Sequence, residues 1–202
     1  MHLDCHPTWK THVDNLFKKL SSFCYVLRKL LPIVNVKMLR MVYFAYSYSQ
    51  ICCCIIFWGS SSSMRNVFII QKRAIRIMLR LGQRSSCRED LKKLDILTVS
   101  CLYIYALLLF AVKNVNIYQT NTSIHSMNTR QHNKLHIPSV RLPSIQRGVY
   151  YSSVIIFSRL PQNKFKFHNN IHTLSCFPFL LILLNFIMQI HECSYLTCFI
   201  IL

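Results

Sequence analysis

The sequence predicts a mainly α-helical fold, a bundle of about five or six helices followed by a long irregular connection and an apolar C-terminal tail. Apolar residues recur at three- and four-residue steps over several stretches, as they do on one face of an α-helix. The chain has only 3 glycines and is 52% hydrophobic, so it can bury enough apolar surface to offset the entropy lost on folding. Pro32 and Pro161 stand where two of these stretches end.

The first predicted helix covers residues 8–31. Its apolar residues form one stripe, and its lysines and arginines lie largely outside that stripe. Thr8 is placed to cap the N-terminus, because a threonine side chain can accept a hydrogen bond from the first turn. Pro32 ends the helix, since proline disfavours helical geometry at the residue before it.

A second helix is predicted over residues 36–58. It begins amphipathic and becomes apolar on all sides over residues 51–58, so its second half is expected to be buried. The consecutive residues Cys52, Cys53 and Cys54 fall in this half, and on a helix they would point in directions about 100° apart. We interpret them as reduced, buried, small hydrophobic residues rather than as a disulfide framework.

Three further helices are predicted before residue 114. Gly59 and the serines that follow it predict a flexible connection to a third helix over residues 64–81. Ser86 with Glu89 three residues later forms a capping-box pattern, which predicts a short helix through Leu94. An apolar helix over residues 98–113 follows.

The periodicity fails over residues 114–148, where Pro138 and Pro143 exclude a continuous helix. A short helix over residues 149–159 is closed by Pro161. Beyond residue 166 the only charged side chain is Glu192. These changes divide the chain into a helical region at 1–113, an irregular connection at 114–148, a short helical segment at 149–175 and an apolar tail at 176–202.

The strongest local signal for a partner is positive charge. The formal net charge is +18, and a chain this basic attracts polyanions, nucleic acid first and an anionic membrane surface second. On the third helix the basic residues Lys72, Arg73, Arg76 and Arg80 share one flank, and no acidic residue lies between Asp14 and Glu89 to balance them. We interpret these four as nucleic-acid-binding residues; the alternative is an ordinary solvated helix face.

Residues 177–190 offer a different partner, the membrane. This stretch is apolar but has 14 residues, and a helix needs about 20 to span a hydrocarbon core. The alternative function is therefore a small basic membrane-associated or interaction protein that inserts this tail. No secretory signal is visible at the N-terminus, and we expect an intracellular protein in the cytoplasm or nucleus.

The sequence predicts no metal site, no cofactor and no catalytic residue. The candidate metal ligands are His2 with Cys5 and His6, His168 with His172, and Cys193 with Cys198, but none has the spacing of a zinc site. Two-metal phosphoryl transfer needs carboxylates clustered on a pair of ions. Glu89 and Asp90 instead stand at a helix start, where acidic residues stabilise the helix dipole.

The order of short motifs resembles a known family. They are HLDxxxTWKxHV at 2–13, KLSSxxYxLR at 19–28, IFWG at 56–59, QKRAIR at 71–76, CRExLKKL at 87–94, YIY at 103–105, NTRQ at 128–131, LHIP at 135–138, GVYYS at 148–152 and FxxLP at 157–161. In this order they resemble the region after the polymerase palm in jockey-like non-long-terminal-repeat retrotransposon reverse transcriptases. The resemblance covers roughly residues 3–174.

The resemblance implies a thumb-like helical bundle and a connecting segment beyond it. It also implies that Lys72, Arg73 and Arg76 contact a template–primer duplex of RNA and DNA. The catalytic aspartates of the family lie in a palm upstream of Met1, so none is carried over to this chain. We therefore expect a fragment of an RNA-directed DNA polymerase that is inactive alone. The family continues past Leu160 and Pro161 as a charged helix, whereas this chain turns apolar. A shifted reading frame is therefore the alternative to membrane association as an explanation of the tail at 176–202.

Overall fold

The structure is a computed structural model that describes residues 8–125 and 134–159. Over these residues the regular secondary structure is helical, with one isolated β-bridge, so the predicted mainly α fold class is confirmed. The apolar tail and the three candidate metal-ligand groups fall outside the described residues. The chain divides into two compact units, and the boundary falls between Tyr103 and Ile104.

The first unit is organised by two long helices, α1 (Lys10–Leu30) and α5 (Met64–Met78). The helices run parallel, because contacts join their corresponding ends. Trp9, just before α1, stacks on Phe57, which precedes α5, with ring centroids 6.1 Å apart. At the other ends, Arg80 donates a hydrogen bond to the Leu31 carbonyl oxygen over 3.2 Å.

The apolar stripes of both helices form the core of this unit. The stripe of α1 buries Val13, Leu16, Leu20, Phe23 and Leu27, and that of α5 buries Val67, Ile70, Ala74, Ile75 and Met78. This is the packing that the three- and four-residue periodicity predicts.

The predicted N-cap of α1 is wrong. Trp9, not Thr8, holds the cap position, with a left-handed φ of 57° and no side-chain cap hydrogen bond. The indole of Trp9 contacts the rings of both His12 and Phe57. Aromatic packing therefore accompanies the start of this helix in place of a capping hydroxyl.

The predicted continuous helix over residues 36–58 is also wrong. The segment consists of α2 (Val36–Val42), a π-helical turn (Tyr43–Tyr48), α3 (Ser49–Cys52) and α4 (Ile55–Trp58). The helix breaks at Cys53 and Cys54, where Cys54 adopts a left-handed φ of 56°. The freed carbonyl oxygen of Cys53 accepts a hydrogen bond of 2.9 Å from the indole nitrogen of Trp58, a fully buried side chain.

The break also exposes the cysteines. Cys52, Cys53 and Cys54 are free thiols, but Cys53 is exposed and the other two are only partly buried. The reduced state agrees with the expectation from the sequence, whereas the expected burial is wrong. Burial of residues 51–58 is likewise incomplete, because Phe57 remains 48% exposed.

Helix α5 ends three residues earlier than predicted, at Met78. Arg80 follows in the left-handed region with φ 55°, its amide donates to the Ile77 carbonyl, and the amide of Leu81 donates to the Arg76 carbonyl. This double hydrogen-bond pattern is a Schellman motif, which satisfies the last carbonyls of a helix. Arg80 therefore lies beyond the helix and not on its flank.

The capping-box prediction is wrong in its cap residue. Helix α6 (Arg88–Lys93) has Cys87, not Ser86, at its N-cap, and no side chain caps it. Glu89 and Asp90 do stand in the first turn as predicted. Helix α7 (Val99–Lys113) begins one residue after the predicted position, where the Thr98 hydroxyl accepts a hydrogen bond of 3.3 Å from the Cys101 amide.

A buried glutamine ties three elements of the first unit together. Gln71 on α5 is 1% exposed. Its side-chain nitrogen donates to the Tyr43 hydroxyl over 3.0 Å and to the Leu97 carbonyl over 2.8 Å, and its side-chain oxygen accepts from the Val99 amide over 3.0 Å. The π-helical turn, α5 and the start of α7 therefore share one polar side chain.

The second unit includes the end of α7, a 3₁₀ turn (Val115–Ile117), α8 (Asn121–His125), α9 (Pro143–Gln146) and α10 (Val149–Ser158). Thr120 and Leu135 form the isolated bridge. The core residues are Ala111, Tyr118, Leu135 and Val154, with Phe110 and Phe157 packed against them. The hydroxyls of Tyr118 and Ser153 are 2.7 Å apart.

Candidate nucleic-acid interface

The exposed face of α5 carries the predicted basic residues. Its buried residues centre on Val67, Ala74 and Met78, and the opposite side contains Lys72, Arg73 and Arg76. On a helix these three fall within an arc of about 100°. The predicted shared flank therefore exists for the three residues that α5 contains, and Arg80 lies past its end.

Lys72 and Arg76 occupy the edge of this face that borders residues 85–87. The ammonium of Lys72 lies 4.4 Å from the centre of the Phe68 ring, and the Arg76 Nε donates to the Ser85 carbonyl oxygen over 3.0 Å. Burial raises the pKa of the adjacent Cys87 thiol, the positive charge of Arg76 lowers it, the negative charge of Asp90 raises it and the positive charge of Lys72 lowers it. Both positive charges therefore lie within electrostatic reach of one thiol.

Arg73 occupies the other edge, towards α1. Its side chain is exposed, and it lies near Cys24 together with Arg28 of α1. Burial raises the pKa of the Cys24 thiol, while Arg73 and then Arg28 lower it. The two arginines thus bring positive charge from two helices to the same place.

Arg80 supplies a cation at the end of the face. Its Nη2 donates to the Leu31 carbonyl at the end of α1, where a positive charge also complements the negative end of the helix dipole. A guanidinium has five N–H donors, so this hydrogen bond leaves donors for a second acceptor. Arg80 therefore combines a structural contact with an exposed positive charge.

The surroundings contain little negative charge. Every charged side chain from residue 15 to residue 88 is a lysine or an arginine. Among the described acidic residues that follow, Glu89 and Asp90 lie in the first turn of α6, and Asp95 forms an exposed ion pair of 3.7 Å with Arg40. The basic face is therefore not neutralised by carboxylates of its own helix.

The structure adds residues that the sequence reasoning missed. Arg65 lies seven residues before Lys72, which places it on the same flank of α5, and it is exposed. The helical periodicity that identified Lys72 could have found it. Arg28 belongs to α1, and only the packing of α1 on α5 brings it near Arg73. Ile69 is 45% exposed in the middle of this face.

The arrangement suits contact with phosphates. Lysine and arginine bind phosphate oxygens through charge-assisted hydrogen bonds. Within the described residues no group of three or more histidine, cysteine or acidic side chains is placed to hold a metal ion. In the same ranges no helix is both long and apolar enough to traverse a lipid bilayer.

No protein-family model, curated protein or solved structure shows a significant match to this chain.

Proposed function

We propose that this chain binds nucleic acid through the exposed face of α5, as a thumb-like fragment of a jockey-like retrotransposon reverse transcriptase. The basic face consists of Arg65, Lys72, Arg73 and Arg76 on α5, together with Arg80 just beyond the end of this helix. The preferred ligand is a template–primer duplex. The family assignment rests on the ordered motifs, and the binding function rests on the basic face.

The observation that carries the proposal is an exposed helix face with positive charge and no acidic residue. A solvated helix face usually mixes both signs, since opposite charges three or four residues apart stabilise a helix. Helix α5 has no acidic residue, so mutual repulsion of its cations costs stability that a polyanion would restore. A phosphate backbone is the polyanion that also releases counterions on binding.

The length of the face matches a short stretch of duplex. Arg65 and Arg76 are eleven residues apart, which is about 16 Å along a helix. This equals the axial rise of about five base pairs at roughly 3.4 Å each. The face can therefore contact several successive phosphates of one strand, and it reads the backbone rather than the base sequence.

The proposal assigns binding to this chain and not catalysis. Among the described carboxylates, Glu89 and Asp90 lie in the first turn of α6 and Asp95 forms the ion pair with Arg40. Asp14 lies at an exposed position of α1. An intracellular location, in the cytoplasm or the nucleus, is part of this proposal because the ligand is there. The membrane alternative depends on residues 177–190, outside the described part of the chain.

The test is a titration of the full chain with a fluorescent RNA template annealed to a DNA primer, at several salt concentrations. The variant Lys72→Gln with Arg73→Gln removes one partly buried and one exposed charge, and neither side chain belongs to the core. We expect binding to weaken roughly tenfold per lost contact at ~0.1 M salt, and the slope of log K against log salt to fall by about 2. Arg80→Gly is a second variant, since glycine suits its backbone.

The matched control is Lys93→Gln with Lys113→Gln, which removes the same charge from exposed sites outside α5. Its affinity and salt slope should stay close to those of the unmodified chain. Equal weakening in both pairs would mean that only total charge matters, and it would overturn the assignment to α5. Binding to anionic vesicles but not to the duplex would replace nucleic acid by membrane as the partner.

A further inference from the structure

We propose that Cys53 and Cys54 form a dithiol site that binds one soft, thiophilic metal or metalloid centre through both sulfur atoms. The two sulfurs lie 4.0 Å apart at the break between α3 and α4. Cys53 is exposed and Cys54 is partly exposed, so a reagent in solution can reach the pair. This site is separate from the basic face and does not depend on it.

The backbone holds the two thiols in place. Cys53 has φ −59° and ψ 111°, and Cys54 has φ 56° and ψ 23°, close to the central residues of a type II turn. The Cys53 amide donates to the Ser49 carbonyl, and the Cys54 carbonyl accepts from the Phe57 amide. The indole nitrogen of Trp58 donates a hydrogen bond to the Cys53 carbonyl oxygen. A preorganised pair loses little further freedom when both sulfurs bind one atom.

The conformation of Cys54 is costly for a residue other than glycine or asparagine. A left-handed non-glycine residue costs roughly 1–2 kcal/mol, and the type II turn selects glycine at this position. Costly backbone conformations cluster at functional sites. A cysteine at the glycine position of the turn brings its sulfur to the neighbouring thiol, which glycine cannot do.

The sulfur spacing favours capture of a third atom over a disulfide. Consecutive α-carbons are about 3.8 Å apart, less than the roughly 4.4 Å that an unstrained disulfide needs. The reduced pair is thus the favoured state. Bonds of about 2.3 Å, as in zinc thiolates, from two sulfurs 4.0 Å apart meet at an angle near 120°. That angle is wider than the one at a pyramidal trivalent centre, so a small rotation of the exposed Cys53 side chain must bring the two sulfurs closer when both bind one atom.

The number of ligands that the described residues offer limits which metal or metalloid this pair of thiols can bind. Tetrahedral zinc needs four ligands, and the residues that the structure describes contain no group of three or more suitable side chains. Within the described residues, the Cys53–Cys54 pair can therefore hold a centre that needs only two thiolates. Trivalent arsenic with one carbon substituent meets this requirement, because two thiolates and the carbon complete three bonds.

The reaction with such a probe is balanced and needs no oxidant. Phenylarsine oxide has one arsenic–oxygen double bond. Two S–H bonds break, two As–S bonds form, and the oxygen leaves as water with both thiol protons. Arsenic remains trivalent, so no electron transfer occurs.

The experiment treats the full, reduced chain with phenylarsine oxide and counts bound equivalents by intact mass spectrometry, with Trp58 fluorescence as a second signal. Cys53→Ser and Cys54→Ser should each bind one equivalent less than the unmodified chain. Cys52→Ser is the matched control and should keep that equivalent. Cys54→Gly relieves the backbone and removes the thiol, so it should fold well and still lose the equivalent.

Two results overturn the proposal. In one, Cys53→Ser and Cys54→Gly bind as many equivalents as the unmodified chain, so the arsenic is held elsewhere. In the other, Cys52→Ser loses the same equivalent, so the site is not the Cys53–Cys54 pair. A urea midpoint for Cys54→Gly at or above that of the unmodified chain excludes loss of folding as the cause of lost binding.

Discussion

Replacing Gln71 by leucine tests whether its hydrogen bonds hold the first unit together. The side chain is buried and makes three hydrogen bonds, to Tyr43, Leu97 and Val99. Leucine has nearly the same volume but no polar atom, so the substitution leaves a buried carbonyl and a buried amide without their partner. An unsatisfied buried group costs about 1–3 kcal/mol, and the more apolar leucine recovers part of this.

We expect Gln71→Leu to lower the free energy of unfolding by about 3 kcal/mol. Small domains have about 5–15 kcal/mol in total, so the effect is large. The assay is urea unfolding of the full chain followed by tryptophan fluorescence, because Trp9 and Trp58 both belong to this unit. The urea midpoint should fall while the slope of the transition stays the same.

Gln83→Leu is the matched control, since Gln83 is exposed and should change stability by less than about 0.5 kcal/mol. Tyr43→Phe removes one of the partners and should cost about 1 kcal/mol. In the Gln71→Leu background its cost should be smaller, because the shared hydrogen bond is already gone. A Gln71→Leu chain as stable as the unmodified one would refute the reasoning.

Two further predictions concern packing and pH. Gly59→Ala should destabilise the chain by about 1–3 kcal/mol, because an added Cβ would lie 2.6 Å from the Ile55 carbonyl oxygen and closer still to the buried Tyr103 ring. The assay is thermal unfolding. Gly82→Ala is the control, since a Cβ at Gly82 would meet only a serine hydroxyl at 3.3 Å. Burial raises the pKa of Tyr43 to about 12, from about 10 in an unfolded chain. The unfolded state therefore releases its proton first, and about 3 kcal/mol of stability present below pH 10 should be lost between pH 10 and 12. Urea titrations at both ends of this range should show a smaller loss in Tyr43→Phe, and an equal loss would contradict the assignment.

Part of the candidate site follows from the sequence because it depends on one helix only. The basic face of α5 needs just the helical repeat and the absence of acidic residues, so Lys72, Arg73 and Arg76 could be identified without a structure. Arg80 could not be placed correctly, because its left-handed conformation and its hydrogen bond to Leu31 depend on where α1 ends. The neighbourhood of Arg73 and Arg28 likewise depends on contact between two helices distant in sequence.

The sequence by itself determined the fold class and the extent of α1, α5, α7 and α10 to within a few residues. One-sided burial leaves a repeat of three and four residues in the sequence, and Pro32 marks the end of α1 because proline disfavours helical geometry at the residue before it. Only the tertiary structure decided the break at Cys53 and Cys54 and the burial of Gln71. Both depend on hydrogen bonds of side chains with distant or non-helical backbone groups, and no local periodicity records such a partner.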